Sequence, residues 1–117
     1  MAGTNLSTVT ATVLSGTSLS AAAPLNQMVV VGIVMPATWT AADLTFQVSS
    51  DGGATFHELY TSAGTPVQYQ STAAVQFGVD GRQWGGIDQV KVRSGTSGTA
   101  VNQDGDRAII LLLKILA

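Results

Sequence analysis

The sequence predicts an all-β, single-domain β-sandwich, jelly-roll-like, with about eight or nine short antiparallel strands. Three observations lead there. Apolar and polar residues alternate with a period of two almost throughout, and no segment sustains the 3.6 period of a helix. Turn-forming Gly, Pro, Asn and Asp recur at near-regular intervals between these runs. The third is Ser49-x-Asp51-x-Gly53-x-Thr55-Phe56, which matches the Asp-box pattern, a β-hairpin motif. In it the Asp carboxylate accepts from the turn's own N–H groups, Gly supplies a positive φ, and the aromatic tucks under the turn toward the core. A single copy of the box excludes a propeller built from repeated boxes.

The elements follow in order. Val9, Ala11 and Val13 alternate with Thr8, Thr10 and Thr12 as a half-buried first strand, which Ser15-Gly16-Thr17 breaks. Leu19 to Ala23 reads as a short second strand ending at Pro24. Met28 to Met35 is continuously apolar and β-branched, the pattern of a strand buried on both faces. Pro36 ends it, having no N–H for a ladder. Thr40-Ala41-Ala42-Asp43 is the one place that suits a helical turn, with Thr40 as N-cap. Leu44, Phe46 and Val48 then face one way and Thr45, Gln47 and Ser49 the other, running into the Asp-box hairpin.

Phe56 to Tyr60 is the expected return strand, Ala63 to Pro66 a turn, and Val67 to Gln70 a short edge strand. Ala73, Val75, Phe77 and Val79 alternate with polar or small residues up to the Asp80-Gly81 turn. Val90 and Val92 face inward, and Ser94 to Asp106 is a long polar loop. In the last strand Ile109, Leu111, Leu113 and Ile115 make one face and Ile110, Leu112 and Leu116 the other. A bare second apolar face would aggregate, so both should be covered: one by the core, the other by another subunit or by the N-terminal segment. By this reading residues 1–25 are an N-terminal strand or arm and 26–117 the sandwich core.

With 117 residues the chain has room for one two-layer core. Only 10% of residues are charged against 45% hydrophobic, well below the roughly 25% charged of an ordinary soluble domain. A charge-poor surface loses little on desolvation, which suits a subunit of an assembly. Net charge is −2, and the five basic residues, Arg82, Lys91, Arg93, Arg107 and Lys114, are scattered. Phosphate neutralisation needs a clustered basic stripe, so no nucleic-acid partner is expected. The absence of Cys leaves no disulfide framework or thiolate metal site. The first residues lack the basic and apolar regions of a signal peptide, and Ala108–Ala117 is about half a membrane span. No membrane partner is expected, and the protein should be made and folded in a cytoplasm.

No constellation of residues points to catalysis. A Ser–His–Asp arrangement needs an imidazole, and His57, the one histidine, sits just past the hairpin on the opposite strand face from Phe56. Most of Asp43, Asp51, Glu58, Asp80, Asp88, Asp104 and Asp106 occupy positions that turns favour. Asn102-x-Asp104-x-Asp106 resembles the start of a calcium loop, but Arg107 and Leu113 stand where that loop needs Gly and Glu. Trp39, Trp84, Tyr60 and Tyr69 could form a sugar-stacking platform, with Trp84, beside Gly85-Gly86, the one expected to be exposed. No catalytic, cofactor-binding or metal-binding residue is assigned, and no enzyme activity or cofactor is expected.

Gly32-Ile33-Val34-Met35-Pro36-Ala37-Thr38-Trp39-Thr40-Ala41-Ala42-Asp43-Leu44-Thr45-Phe46-Gln47-Val48-Ser49 carries a resemblance, joined by Lys91-Val92-Arg93-Ser94-Gly95-Thr96, Val101-Asn102-Gln103 and the final apolar strand. From Val29 onward the chain resembles a group of small virion proteins from the structural gene clusters of tailed bacteriophages and prophages; the first 25 residues lie outside it. The resemblance implies a structural role in the particle. The expectation is a capsid cement or decoration protein on the surface of the phage head, a homotrimer bound to the major capsid protein. The alternatives are a glycan-binding module of a head or tail fibre, and a tail or head–tail connector component.

Overall fold

The computed structural model describes residues 6–115. Within them eight strands form two four-stranded sheets: β1 (Leu6–Val13), β2 (Ala23–Pro24), β3 (Val29–Val34), β4 (Leu44–Ser49), β5 (His57–Glu58), β6 (Gln76–Gly78), β7 (Gln89–Ser94) and β8 (Arg107–Lys114). The first sheet runs β1-β8-β3-β6 and the second β2-β7-β4-β5, and neighbouring strands are antiparallel throughout. Successive strands therefore alternate between sheets until β4 and β5 pair as the Asp-box hairpin. This order is that of a jelly roll, as the sequence predicts.

Of the N-terminal segment 1–25, residues 6–25 are built into the sandwich. They give β1 to one sheet and β2 to the other, and bury Ala11, Val13, Ala23 and Leu25 in the core; residues 1–5 lie outside the described range. The predicted second strand shrinks to Ala23–Pro24, while Leu19 makes only an isolated bridge to Arg93. Pro24 belongs to this strand instead of following it, which is possible because β2 is an edge.

The core closes between the inner faces. Val13, Val30, Ile33, Ile109 and Leu111 of the first sheet meet Leu44, Phe46, Val90 and Val92 of the second, all essentially without solvent contact. An edge-to-face relay crosses it, from Trp84 to Phe46 (centroids 4.9 Å apart), to Tyr69 (5.6 Å) and to Phe77 (5.7 Å). Such pairs add about 0.5–1.5 kcal/mol each beyond the area they bury. A bulge at Val31 lets Val30 and Ile33, three residues apart, both face the core. The Met28–Met35 run, expected to be buried on both faces, is sealed outside at Val29 and Gly32, but Val31 and Val34 stay half-buried.

Three predicted local features are corrected. No helical turn forms at Thr40–Asp43, because Gln103 holds that backbone extended: Thr40 N–H donates to its Oε1 (2.8 Å) and Thr40 C=O accepts from its Nε2 (3.0 Å). The helical turn is instead a 3₁₀ helix at Gly81–Trp84, capped by Asp80, whose Oδ1 accepts from Arg82 N–H (3.1 Å). Phe56 does not enter the core; it is half-buried with the Lys91 ammonium 4.4 Å from its ring centroid. Beyond β5, Tyr60, Pro66 and Tyr69 make only isolated bridges, so the return strand and the Val67–Gln70 strand are shorter than expected.

Candidate functional site

Carboxylates are the groups most able to do chemistry here, and each meets a structural partner. Asp51 Oδ1 accepts from Thr55 N–H (3.0 Å) and the Ser49 hydroxyl (2.7 Å), and its Oδ2 from the Thr55 hydroxyl (2.5 Å). These bonds, the Thr55 hydroxyl foremost, lower its pKa from 3.8 to about 2. The Asp box thus closes on itself as predicted, with Ser49 Oγ also taking Gly53 N–H (2.9 Å). Asp88 Oδ2 accepts from Gly52 N–H (2.8 Å), Asp43 from Gln68 Nε2 (2.8 Å), and Asp106 from Ser15 N–H (2.8 Å). Asp104 accepts from the Thr40 hydroxyl (3.2 Å) and pairs with Arg107.

Glu58, the one acid on a strand, is clamped by Arg93, and that hydrogen bond lowers its pKa. The calcium-like run does not converge: Asp104 turns to Thr40 and Arg107 while Asp106 turns to Ser15. Among the described residues no three His, Asp or Glu side chains are placed to hold a metal ion. His57 lies exposed on β5, as its position past the hairpin predicts.

The predicted sugar platform is overturned at its centre. Trp84 is completely buried, because the 3₁₀ helix that carries it folds its side chain inward against Phe46. Trp39 is also buried, its indole N–H donating to Ala42 C=O (3.1 Å). The glycines beside Trp84, which predict exposure, instead let the chain leave the helix, with Gly86 at φ 79°. Tyr60 is the exposed aromatic, 52% accessible. It lines a cleft of about 470 Å³ with Thr61, Ser62, Asp80, Arg82 and Gln83, and the Arg82 and Asp80 side chains pair with each other at 3.2 Å.

A further surface is the outer face of the first sheet. Register places Thr8, Thr10 and Thr12 of β1 beside Leu112, Ile110 and Ala108 of β8, and Val34 of β3 beside Ile110. Ile110, Leu112 and Val34 remain half-exposed. Residues 6–13 lie beside β8 as a strand and not over its face, so the N-terminal cover expected for these residues is not supplied by them. Leu116, assigned to the same face, lies outside the described residues. The charge on this face gathers at one end, where Lys114, opposite Val29 and Leu6, lines a pocket with Asp80 and Arg82. Hydroxyls and methyls on a sheet face can contact another surface over a large area.

No protein-family model matches the chain, and no curated protein does. Among solved structures, the F5/8 type C domain of a Bacteroides fragilis protein aligns with 81% of this chain at 11% identity and a TM-score of 0.47, and the chain covers 64% of that structure's length.

Proposed function

We propose that this protein is a structural component of a phage virion, a cement or decoration protein that binds the outside of the head and clamps neighbouring copies of the major capsid protein. The observation that carries the reading is the outer face of the first sheet. Thr8, Thr10, Thr12, Val34, Ile110 and Leu112 form an uncharged surface that loses little on desolvation and gains from apolar contact. The carboxylates support it too, since each has at least one oxygen engaged within the fold and none gathers with others in a cleft. A protein that binds only the assembled lattice stabilises it by mass action, and many modest contacts add up. On this reading it works as a homo-oligomer, without a catalytic step or cofactor, on the virion surface.

The test uses purified heads lacking this protein. They should take it up from solution to saturation at hundreds of copies per particle, and then withstand heat or chaotrope better than bare heads. Uptake confined to one vertex would give the connector reading the case.

A glycan-binding module of a fibre is the second reading, favoured by the Tyr60 cleft. An exposed aromatic ring beside a carboxylate, a guanidinium and hydroxyls is the chemistry that holds a sugar. Binding to a host polysaccharide, without uptake by heads, would decide for it.

A further inference from the structure

Two sheets present four edges, and three are blunted. β2 and β5 are two residues long, and β2 includes Pro24, which has no N–H to offer. β6 has three residues and ends in Gly78. β1 is different. Its eight residues run against β8 in unbroken register, and Ser7 to Val13 contains no charge and no proline. The bulges, prolines and charges by which natural sheets protect an edge are missing from it. Alternate N–H and C=O groups of an antiparallel edge strand point away from its neighbour. From Ser7 to Val13 they meet no described residue, since the backbone pairing of these residues is with β8 alone.

Packing repeats the point. Val9 faces inward with Ala11 and Val13, yet it stays half-buried while Leu111, directly opposite on β8, is sealed. Val9 therefore keeps solvent contact that its partner on the inner strand has lost.

We propose that β1 pairs antiparallel with β1 of a second copy, joining two four-stranded sheets into one eight-stranded sheet across a two-fold axis. The partner is argued from the strand itself. Two identical uncharged edges meet without repulsion, and a two-fold keeps threonines opposite threonines on the outer face and apolar residues opposite apolar residues within. The same contact would cover Val9. A head-to-tail ring such as the expected trimer, if built by edge pairing, would set Ser7–Val13 of β1 against the three residues of β6, leaving most of that stretch bare. The proposal does not depend on what the dimer binds.

The experiment is light scattering on the purified full chain over a wide concentration range. The wild type should reach twice the 12.0 kDa chain mass. Thr8→Lys/Thr10→Lys, which supplies the missing edge charges, should remain monomeric at concentrations at least tenfold higher, with an unchanged circular dichroism spectrum. Gln76→Lys, on the opposite edge, should still dimerise.

Hydrogen exchange on the wild type covers the case in which the double variant does not fold. Alternate amides within Ser7–Thr10 should be protected at high concentration and exchange freely on dilution. A wild type that is monomeric throughout, or three times the chain mass, overturns the proposal, as does a folded double variant that still dimerises or edge amides that exchange freely at every concentration. A monomer that still decorates heads sinks this proposal and the oligomer in the capsid reading, while head binding itself stands; a dimer that ignores heads supports this proposal and sinks head binding.

Discussion

Arg93 on β7 reaches across β4 to Glu58 on β5 and holds it by two parallel bonds, Nη1 to Oε1 and Nη2 to Oε2, each 2.6 Å. Nη1 also donates to the Thr45 hydroxyl (3.2 Å), and Gln47 Nε2 reaches Glu58 Oε2 (3.1 Å). The pair ties three strands of the second sheet together on its outer side. β5 has only two residues in the ladder, so this clasp is a main anchor of that edge.

Glu58→Ala should therefore destabilise the protein by about 2–3 kcal/mol, since the Arg93 guanidinium is 8% exposed and would be left without its counter-ion. Arg93→Met should cost less, because Glu58 is exposed enough to be hydrated once released. Urea unfolding of the two variants checks the order.

Acid should weaken the fold through Asp51 and Glu58. Both carboxyls have folded pKa values below their ordinary ones, Asp51 at about 2 against 3.8. A depressed folded pKa contributes stability that is present above the unfolded value and lost as pH falls through the folded one. For Asp51 the loss runs from about pH 4 down to about pH 2. Melting temperature should thus be flat above pH 5 and fall in that window, and Asp51→Asn should be less stable at neutral pH with a shallower acid limb. A parallel acid limb in that variant would show that the hairpin does not contribute.

Much of this fold was legible because alternation and turn chemistry are local. Val9-Ala11-Val13, Leu44-Phe46-Val48 and Ile109-Leu111-Leu113 each take the face their spacing predicts, and Asp51 closes its hairpin with atoms no more than four residues away. What was not legible depends on distant partners. Thr40 cannot form its turn because of Gln103, 63 residues on. Trp84 is buried because the 3₁₀ helix aims it at Phe46. Phe56 stays out of the core because the register of β5 on β4 puts it on the outer face with Glu58, where Lys91 from β7 lies over its ring. Gln103 lies in one of the segments that carry the resemblance, but nothing in its sequence context signals a buried contact with Thr40.

That glutamine is almost fully buried with all of its amide engaged. Nε2 donates to Thr40 C=O (3.0 Å) and the Ser94 hydroxyl (2.7 Å), and Oε1 accepts from Thr40 N–H (2.8 Å) and Arg107 Nε (3.1 Å). Gln103→Leu keeps the bulk and strands four polar groups, so a cost of about 3 kcal/mol or more is expected. The Thr40 amide should also lose protection from hydrogen exchange.

Gly95 should tolerate no side chain. Its φ is 95°, and a Cβ there would sit 2.5 Å from Thr99 C=O and 2.8 Å from Val101 N. Both neighbours are backbone, so neither can turn aside. Gly95→Ala should cost on the order of 3 kcal/mol, while Gly98→Ala in the same loop, where a Cβ meets nothing within 4 Å, should be nearly neutral in thermal melts.

The outer face of the first sheet and the Tyr60 cleft can be separated by one substitution in each. Ile110 is half-exposed in the middle of the sheet face, so Ile110→Glu leaves the core untouched and should cost only about 1 kcal/mol, the span of strand propensity. At a docked interface the same carboxylate would be desolvated without a partner, a loss of several kcal/mol. Uptake by heads should therefore fall at least tenfold while the fold survives. Tyr60→Ala removes the exposed ring of the cleft and should leave uptake unchanged. The reverse pattern, with Ile110→Glu binding heads normally and Tyr60→Ala losing affinity for a polysaccharide, would move the function from the sheet face to the cleft.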